Sequence, residues 1–358
     1  MEFIRVDQIL IFKCKAYRYY KEIRMKQSSN TDWSDSKTLS SIILNAIDYD
    51  LLAKDELGLL SPMGGKKLFS GWAKRCYENG QVELLAQFEE GLENGIFIQW
   101  HESGEKKSEE YWKRGNLDGY STTWYLNGKI KDRISFLDGK PNGLQTEWFD
   151  NGRKKLEVNN IVGKMEGLLT TWYESGEKET ETEFEKGELN GLSTKWYKNG
   201  VKEGEVNFKN GEQDGLQIGW YENGQVKSLL TFKKGKQNGL WESWHSTRQK
   251  KQVGKFVEGK PDGIWTEWYE NGQKGSEAGW VRGKLDGQTT MWYENGREME
   301  KVNFSAGTVV GFVVWKPNGE ICPFSKMIDG EGTKFLYGKD CQKIAEVIYR
   351  GGKEVIPG

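Results

Sequence analysis

The stretch Trp220–Gly239, WYENGQVKSLLTFKKGKQNG, decides the fold of this chain because it recurs along most of its length. A Trp stands at its first position every 24 residues, at 100, 124, 148, 172, 196, 220, 244, 268 and 292. Cys76 lies one period earlier, and Trp315 and Tyr337 follow after shortened periods. Self-similarity at a fixed period is the signature of a repeat array. The sequence therefore predicts about twelve repeats, whose positions we count from the Trp as position 1.

Each repeat is predicted to be a β-hairpin. Asn-Gly at positions 4 and 5 is the strongest short hairpin signal and favours a type I′ turn, with positive φ at both residues. A second glycine pair, such as Gly139 and Gly143, predicts a longer return turn. At about 4.8 Å per strand, some two dozen strands would form a ribbon roughly 110 Å long. The predicted fold class is all-β: an elongated, single-layer antiparallel meander of β-hairpins.

Alternation along each strand predicts which side chains share a face. We expect Leu192, Thr194 and Trp196 on one face together with Val206 and Phe208 of the next strand. This face would be a dry ladder of Trp, Leu and Phe. The sheet would then either curl until the ladder packs on itself or pair with another sheet.

The composition excludes several classes of protein. Among 358 residues there are 16 Trp, 15 Tyr and 15 Phe, more ring surface than a disordered chain can leave unburied. The formal net charge is −1, so no overall field favours nucleic acid, and no nucleic-acid partner is expected. The longest apolar run near the start, Ile9–Phe12, is too short for a signal peptide or membrane span. We therefore expect a cytoplasmic protein, with peripheral membrane association left open.

The first 57 residues differ from the rest. Residues 1–26 carry seven Lys and Arg against three acidic residues, and a polar linker follows. Beyond the linker, Leu39, Ile42 and Ile43 have helical spacing, which predicts a short helical cap. The basic segment could attach to an anionic surface, or Met25 could be the true start. The expected domains are this N-terminal segment, 1–57, and a repeat array over 58–355 with degenerate closing repeats from about residue 312.

Few residues in the chain suggest catalysis or metal binding. The cysteines include no C-x-x-C pair, which excludes a structural zinc site, while a bond between Cys322 and Cys341 stays open. The only histidines, His101 and His245, both occupy position 2, where most repeats have Tyr, and 144 residues separate them. We interpret them as aromatic substitutes and not as catalytic bases. The sequence predicts a non-enzymatic protein without cofactor or metal.

Aromatic rings at position 2 form a second predicted ladder, on the face away from Trp. Binding surfaces use such amphipathic rings, but rings also stack to stiffen a sheet, and both interpretations stay open. The candidate partner-binding residues are Tyr125, Phe149, Tyr173, Tyr197, Tyr221, Tyr269 and Tyr293.

The pattern Trp-Tyr-Glu-Asn-Gly followed by Lys-x-Asp-Gly resembles MORN (membrane occupation and recognition nexus) repeats, in the bacterial variant found in the YwqK family of antitoxins. The resemblance covers Gly58 to about Val355. It implies a protein-binding module that sequesters a partner toxin, as an antitoxin or immunity-like protein. The wider resemblance implies an alternative, a structural or membrane-associated scaffold that contacts phospholipid.

Some repeats depart from the pattern. Ser246-Thr247-Arg248 replaces the Asn-Gly turn of one repeat, and Asn160 replaces the aromatic residue at position 13 of another. Such departures mark either local repacking or a place where a partner docks, and the sequence leaves both open.

Overall fold

The structure, a computed structural model, describes residues 36–355 and is built almost entirely from β-strands. Within that range the chain divides into two compact bodies, described separately below. The first body holds residues 36–177 and 185–187, and the second holds 178–184 and 188–355.

The first body opens with a helix and then forms an antiparallel meander, in which each strand from β4 to β12 pairs with the next along the chain. Only the pairing of β1 with β4 is parallel among the strand pairs described in this body. The elements are α1 (Ser36–Asn45), β1 (Ile47–Asp48), a 3-10 turn (Tyr49–Leu51), β2 (Leu52–Lys54), β3 (Leu60–Pro62), β4 (Gly71–Cys76), β5 (Val82–Glu89), β6 (Leu92–Trp100), β7 (Lys106–Lys113), β8 (Asn116–Trp124), β9 (Ile130–Leu137), β10 (Lys140–Trp148), β11 (Lys154–Ile161) and β12 (Lys164–Trp172).

The second body continues the same hairpin pattern through β26 and ends in a separate four-stranded sheet, β27 to β30. The last predicted repeat therefore leaves the meander. The strands are β13 (Lys178–Glu185), β14 (Glu188–Trp196), β15 (Lys202–Lys209), β16 (Glu212–Trp220), β17 (Val226–Lys233), β18 (Lys236–Trp244), β19 (Lys250–Val257), β20 (Lys260–Pro261), β21 (Gly263–Trp268), β22 (Lys274–Val281), β23 (Lys284–Leu285), β24 (Gly287–Trp292), β25 (Glu298–Ser305), β26 (Thr308–Val314), β27 (Lys326–Ile328), β28 (Glu331–Tyr337), β29 (Lys343–Arg350) and β30 (Lys353–Val355).

The predicted fold class is confirmed in each body: the array is an open antiparallel meander of β-hairpins. The expected turn types, however, are exchanged. At the first turn the Gly80 N–H donates to the Tyr77 carbonyl across 2.9 Å, and Gly80 has φ +87° while Asn79 is not left-handed. Asn-Gly therefore closes a type I turn followed by a left-handed glycine, instead of the expected type I′ turn.

The second turn is the tight one. Asp138 and Gly139 have φ of +46° and +75° and connect Leu137 directly to its paired residue Lys140. This is a two-residue type I′ turn, so the expected longer return turn was wrong. Gly143, with φ +105°, instead lies where the strand register shifts.

The predicted sharing of faces was also wrong. Leu192 pairs with Asn207 and Thr194 with Glu205, whereas Val206 pairs with Ser193 on the opposite face. The cause is a β-bulge at each first turn: in this hairpin Lys195 pairs with Gly204 and Trp196 with Lys202, which leaves one extra residue. One added residue exchanges the faces of everything that follows it.

We name the two faces by their aromatic residues and keep these names below. The Trp face carries positions 1, 7, 10, 12, 21 and 23, exemplified by Trp196, Lys202 and Glu205. The Phe face carries positions 9, 11, 13, 22 and 24, exemplified by Val206 and Phe208. The pairing pattern recurs in both bodies.

Additional elements cover the Phe face at the ends of the array. In the first body Leu52 and Leu60, from the β2–β3 hairpin, bury Leu84, Ala86 and Phe88. In the second body the four-stranded sheet covers the Phe face. The buried residues there are Val302, Val309, Phe312, Val314, Cys322 and Tyr349. These are the caps that a repeat array requires.

The cysteine question left open by the sequence is answered by the structure. Cys322 is a buried free thiol and Cys341 a partly exposed one, so the two do not form a disulfide.

Candidate interaction surface

The aromatic residues at position 2 connect successive repeats. The Tyr125 hydroxyl donates to the carbonyl oxygen of Trp148 across 2.8 Å, and Tyr221 makes the same bond to Trp244. Tyr197, Tyr269 and Tyr293 repeat the bond at 2.7 to 2.9 Å. Burial is the main cause that raises the pKa of these last three phenols, which favours the protonated donor.

His245 shows the same role with different chemistry. Its Nε2 lies 2.8 Å from the carbonyl oxygen of Trp268, in place of a tyrosine hydroxyl. This geometry agrees with the interpretation of His245 as an aromatic substitute. All seven candidate partner-binding residues are half-buried. Their contact with a partner stays a prediction. The hydroxyl groups of five of them also have a structural role, because they bond to the Trp carbonyls of the next repeat.

Hydrogen bonds between repeats also run along both edges of the array. At the first turn, the Asn127 side chain accepts from the N–H of Lys129 and donates to the carbonyl of Asp150 in the next turn. At the second turn, the Asn142 side chain accepts from the N–H of Val162, one repeat further on. The consensus residues at positions 2, 4 and 19 therefore hold the stack together. Residues that bind a partner should be sought where the repeats differ.

On the Trp face, a lysine at position 7 and a glutamate at position 10 form an ion pair in five of the ten repeats that begin at Cys76 or at a Trp from 100 to 292. Lys106 and Glu109 approach to 2.7 Å, and the Lys106 Nζ lies 5.1 Å from the centre of the Trp124 ring in the next repeat. The arrangement recurs at Lys154, Lys178, Lys202 and Lys274, over Trp172, Trp196, Trp220 and Trp292.

The Trp face is therefore not the dry ladder that we expected. Trp196 is only half-buried, and its neighbour Thr194, at position 23, is the buried residue at 5% exposure. Lysine stems cover the indoles while their ammonium groups stay in water. Because the lysine side chains already shield the indoles from water, the Trp face does not require a second sheet to cover them.

Exposed leucines recur at position 21 of the Trp face in each body. We call them the leucine stripe of that body: Leu144 and Leu168 in the first, and Leu192, Leu216 and Leu240 in the second. Several lie beside neutral polar partners, as Leu144 does beside Asn159 and Leu216 beside Thr231. The exposed fractions are 53% for Leu144, 48% for Leu168, 36% for Leu192, 43% for Leu216 and 53% for Leu240.

The Phe face carries an aromatic cluster in the second body. The Trp265 ring centre lies 5.2 Å from that of Trp241 and 4.9 Å from that of Phe256. Trp265 is 8% exposed, and its Nε1–H donates to the Lys255 carbonyl. Its ring occupies the space above Gly254, which has no side chain. Sequence analysis missed this cluster, although two successive Trp residues at position 22 were a visible signal.

The departure at Ser246-Thr247-Arg248 is a local repacking. Arg248 takes the left-handed place of glycine, with φ +74°. With its amide in the hydrogen-bonding orientation, Gln225 donates to the Ser246 carbonyl and accepts from the Arg248 Nε. The turn is thus tied to the preceding repeat by different atoms.

Residues 36–355 contain no group of three or more His, Cys, Asp or Glu side chains arranged to hold a metal ion. Over the same residues, none of the helices has the length and apolarity needed to cross a membrane.

Comparison with known proteins agrees with the repeat assignment. The family described as MORN repeat variant matches residues 117–138, 189–210, 213–234 and 261–277. These four segments are therefore MORN-type repeats. No curated protein matches the sequence.

Among solved structures, the chain is similar to a TcdB2–TccC3 crystal structure, at 9% identity and a TM-score of 0.17 over 78% of this chain and 18% of that one. It is also similar to the Photorhabdus luminescens Tc holotoxin pore, at 13% identity and a TM-score of 0.16 over 82% of this chain and 16% of that one. The chain spans less than a fifth of the length of either. Likenesses this weak carry no argument about fold or function.

Proposed function

We propose that the chain is a non-enzymatic, protein-binding repeat module whose partner contacts the leucine stripe. The supporting observation is that these leucines stay exposed in successive repeats although the repeat does not need them for stacking. Position 21 accepts Gln288 in one repeat without loss of strand pairing to Asn303. A row of exposed apolar side chains on a rigid sheet is typical of an interaction surface.

We propose a toxin as the partner, which would make the chain an antitoxin or immunity-like protein. This finer proposal rests on the resemblance to the YwqK family and is independent of the stripe geometry. The position 2 rings belong to the proposal as a second surface, on the opposite side of the sheet. The cytoplasmic location stays a prediction.

The test is co-expression with the protein encoded beside this chain, followed by capture and measurement of affinity. Leu144→Gln with Leu168→Gln in the first body and Leu192→Gln with Leu216→Gln in the second are two separate variants, and the one in the body that the partner contacts should weaken the complex at least tenfold. The sheet should stay folded, because Gln is native at this position in another repeat.

The tyrosine surface is tested separately. Tyr197→His and Tyr221→His should keep the bonds to the Trp carbonyls, as His245 does, while changing the rings that a partner would meet. If these variants lose the complex while the leucine-stripe variants keep it, the partner binds the tyrosines and not the leucine stripe. Retention on anionic vesicles that requires residues 1–26, with no protein captured, would replace the proposal with the phospholipid scaffold; those residues lie outside the described range.

A further inference from the structure

The first body shows what the Trp face can bind. Helix α1 lies on this face and buries Ile42 and Ala46 against Leu85, which is 0% exposed. Near the end of the helix the Lys74 Nζ donates to the Ile43 carbonyl across 2.7 Å. A cation there complements the carbonyl end of a helix. This part of the Trp face is thus an established site for an amphipathic helix.

The repeat that holds Leu85 differs from the common repeat on this face. Position 7 is Val82 and position 10 is Leu85, where five of the ten repeats that begin at Cys76 or at a Trp from 100 to 292 have Lys and Glu. Leu85 pairs across strands with Ile98, where most repeats have Thr. All three side chains are at most 5% exposed. Replacing the charged ladder with apolar residues makes room for the apolar side of a helix.

The same three residue types recur together once more, in the second body. Val226 and Leu229 occupy positions 7 and 10, and Leu229 pairs with Ile218. Ile218 lies on the strand before Leu229, whereas Ile98 lies on the strand after Leu85. Of the described repeats that begin at Cys76 or at a Trp from 100 to 292, only these two combine Val and Leu at these positions.

This second group is open where the first is covered. Val226 is 36% exposed, and its neighbours Leu216 and Leu240 on the same face are 43% and 53% exposed. Leu229 and Ile218 are half-buried. We call these five residues the helix patch. Within residues 36–355 the second body has no helix, so no described helix of that body covers the patch.

The sheet beneath the helix patch is reinforced. Leu230, next to Leu229 and on the Phe face, pairs with Trp241, a member of the aromatic cluster with Phe256 and Trp265. In the first body the Phe face behind Leu85 is packed in the same way, by Leu84, Ala86 and Phe88. A docking site requires such a rigid base.

The charge beside the helix patch is opposite to that beside α1. Glu242 pairs with Leu229, as Lys74 pairs with Leu85 in the first body. Lys250 lies 3.1 Å from the Glu242 carboxylate but is itself half exposed. A helix that meets Glu242 gains from a basic side chain. Helix α1 of a second copy fits poorly, since it has no basic residue in its last turn.

We infer that the helix patch docks an amphipathic helix of a partner protein, with apolar residues at i, i+3, i+4 and i+7 and a basic residue where it meets Glu242. The inference rests on the proposed protein-binding function and names the partner's binding element. A helix presents this pattern on one face.

The probe is a fluorescent synthetic peptide of 16 residues with Leu or Ile at the four apolar positions and Lys among the others, titrated against the full chain by anisotropy. Val226→Glu with Leu229→Lys should lower its affinity at least tenfold. These two substitutions would reproduce the ion pair that Glu298 and Lys301 form at the same positions, and the lysine introduced in place of Leu229 would lie opposite Glu242, so the sheet should keep its melting temperature. Glu242→Gln should weaken binding several-fold.

The matched control is Lys274→Glu with Glu277→Lys, which exchanges a native ion pair on the same face, two repeats later and outside the patch. It should leave peptide affinity unchanged. No binding to the wild-type chain, or equal affinity for the Val226→Glu and Leu229→Lys variant, would overturn the inference. If that variant still captures the co-expressed protein while a leucine-stripe variant does not, the helix patch is wrong and the protein-binding function stands.

Discussion

The phenol of Tyr197 donates to the carbonyl oxygen of Trp220, 2.9 Å away and one repeat further along the chain. Tyr221 does the same for Trp244. The Tyr residues at position 2 and the Trp residues at position 1, which the sequence suggests are two separate rows, are therefore connected by hydrogen bonds. Stacking in this sheet is transmitted by side chains as well as by the strand ladder, and the bond persists from Tyr293 to Trp315, where the repeat is one residue shorter.

Removing one such hydroxyl should produce a small, measurable loss. Tyr197→Phe should lower the free energy of unfolding by about 0.5 to 1.5 kcal/mol, the net value of one hydrogen bond. Urea denaturation followed by Trp fluorescence measures it. Tyr197→His is the matched control, because His245 makes the equivalent contact. Equal stability of the Phe variant and the wild type would show that the bond is not stabilising.

The space above Gly254 predicts an overpacking effect. A Cβ there would lie 2.2 Å from the Trp265 Cδ2, so Gly254→Ala must displace the indole. We expect a loss of about 1 to 3 kcal/mol, as for added methyl groups in a packed cluster. Gly311→Ala is the control, since no atom lies within 4 Å of its Cβ. A Gly254→Ala protein as stable as the Gly311→Ala protein would contradict the packing of the cluster.

The order of charges in the position 7 and 10 ion pair should be interchangeable. Lys202 and Glu205 form the usual pair, while Glu298 and Lys301 form the reverse pair at 2.5 Å, with Lys301 over the Trp315 ring. Lys202→Glu alone places like charges together and should cost up to about 1 kcal/mol, since the pair is partly exposed. Lys202→Glu combined with Glu205→Lys should recover most of the free energy of unfolding that the single change loses. A double-mutant cycle in low and high salt measures the coupling, and additive losses would argue against the pair.

The repeat and its hairpins could be read from the sequence because the Trp spacing and the glycines are local signals. The faces could not, because they depend on one bulged residue between Trp196 and Gly204. Asn-Gly serves both type I′ turns and type I turns followed by a left-handed glycine. The local sequence did not distinguish them.

The candidate surface shows a similar division. The position 2 rings were visible in the sequence, but the bond from Tyr197 to the Trp220 carbonyl requires the positions of both strands. The helix patch had a sequence signal that was missed: aligning the repeats shows Val226 and Leu229 in place of Lys and Glu. This exchange indicates a helix-binding surface only by comparison with Leu85, which packs against α1 in the structure.

A buried ion pair in the C-terminal cap should make stability fall at high pH. The Lys334 Nζ lies 3.0 Å from Glu300, with side chains only 13% and 7% exposed. Burial is the largest single influence and acts to lower the pKa of Lys334, but charge attraction and hydrogen bonding to Glu300 and Tyr349 together outweigh it, so the pKa is raised. A raised pKa stabilises the fold fully below the unfolded lysine value of about 10.4. This stability is lost as the pH rises through the folded value.

Tyr337 also makes the fold less stable at high pH. Its hydrogen bond with Cys322, together with burial, raises the pKa of its phenol to about 12. Denaturation midpoints at pH 8 and pH 11 should therefore differ more in the wild type than in Tyr337→Phe, and least when Lys334→Met and Glu300→Met are added. Glu300→Gln alone should cost about 3 to 5 kcal/mol at pH 8, because it leaves a buried ammonium without its partner. The double replacement by Met should cost much less, since removing both charges removes the unpaired one. A Glu300→Gln protein as stable as the wild type at pH 8 would show that Lys334 finds water there and that the cap does not depend on the pair.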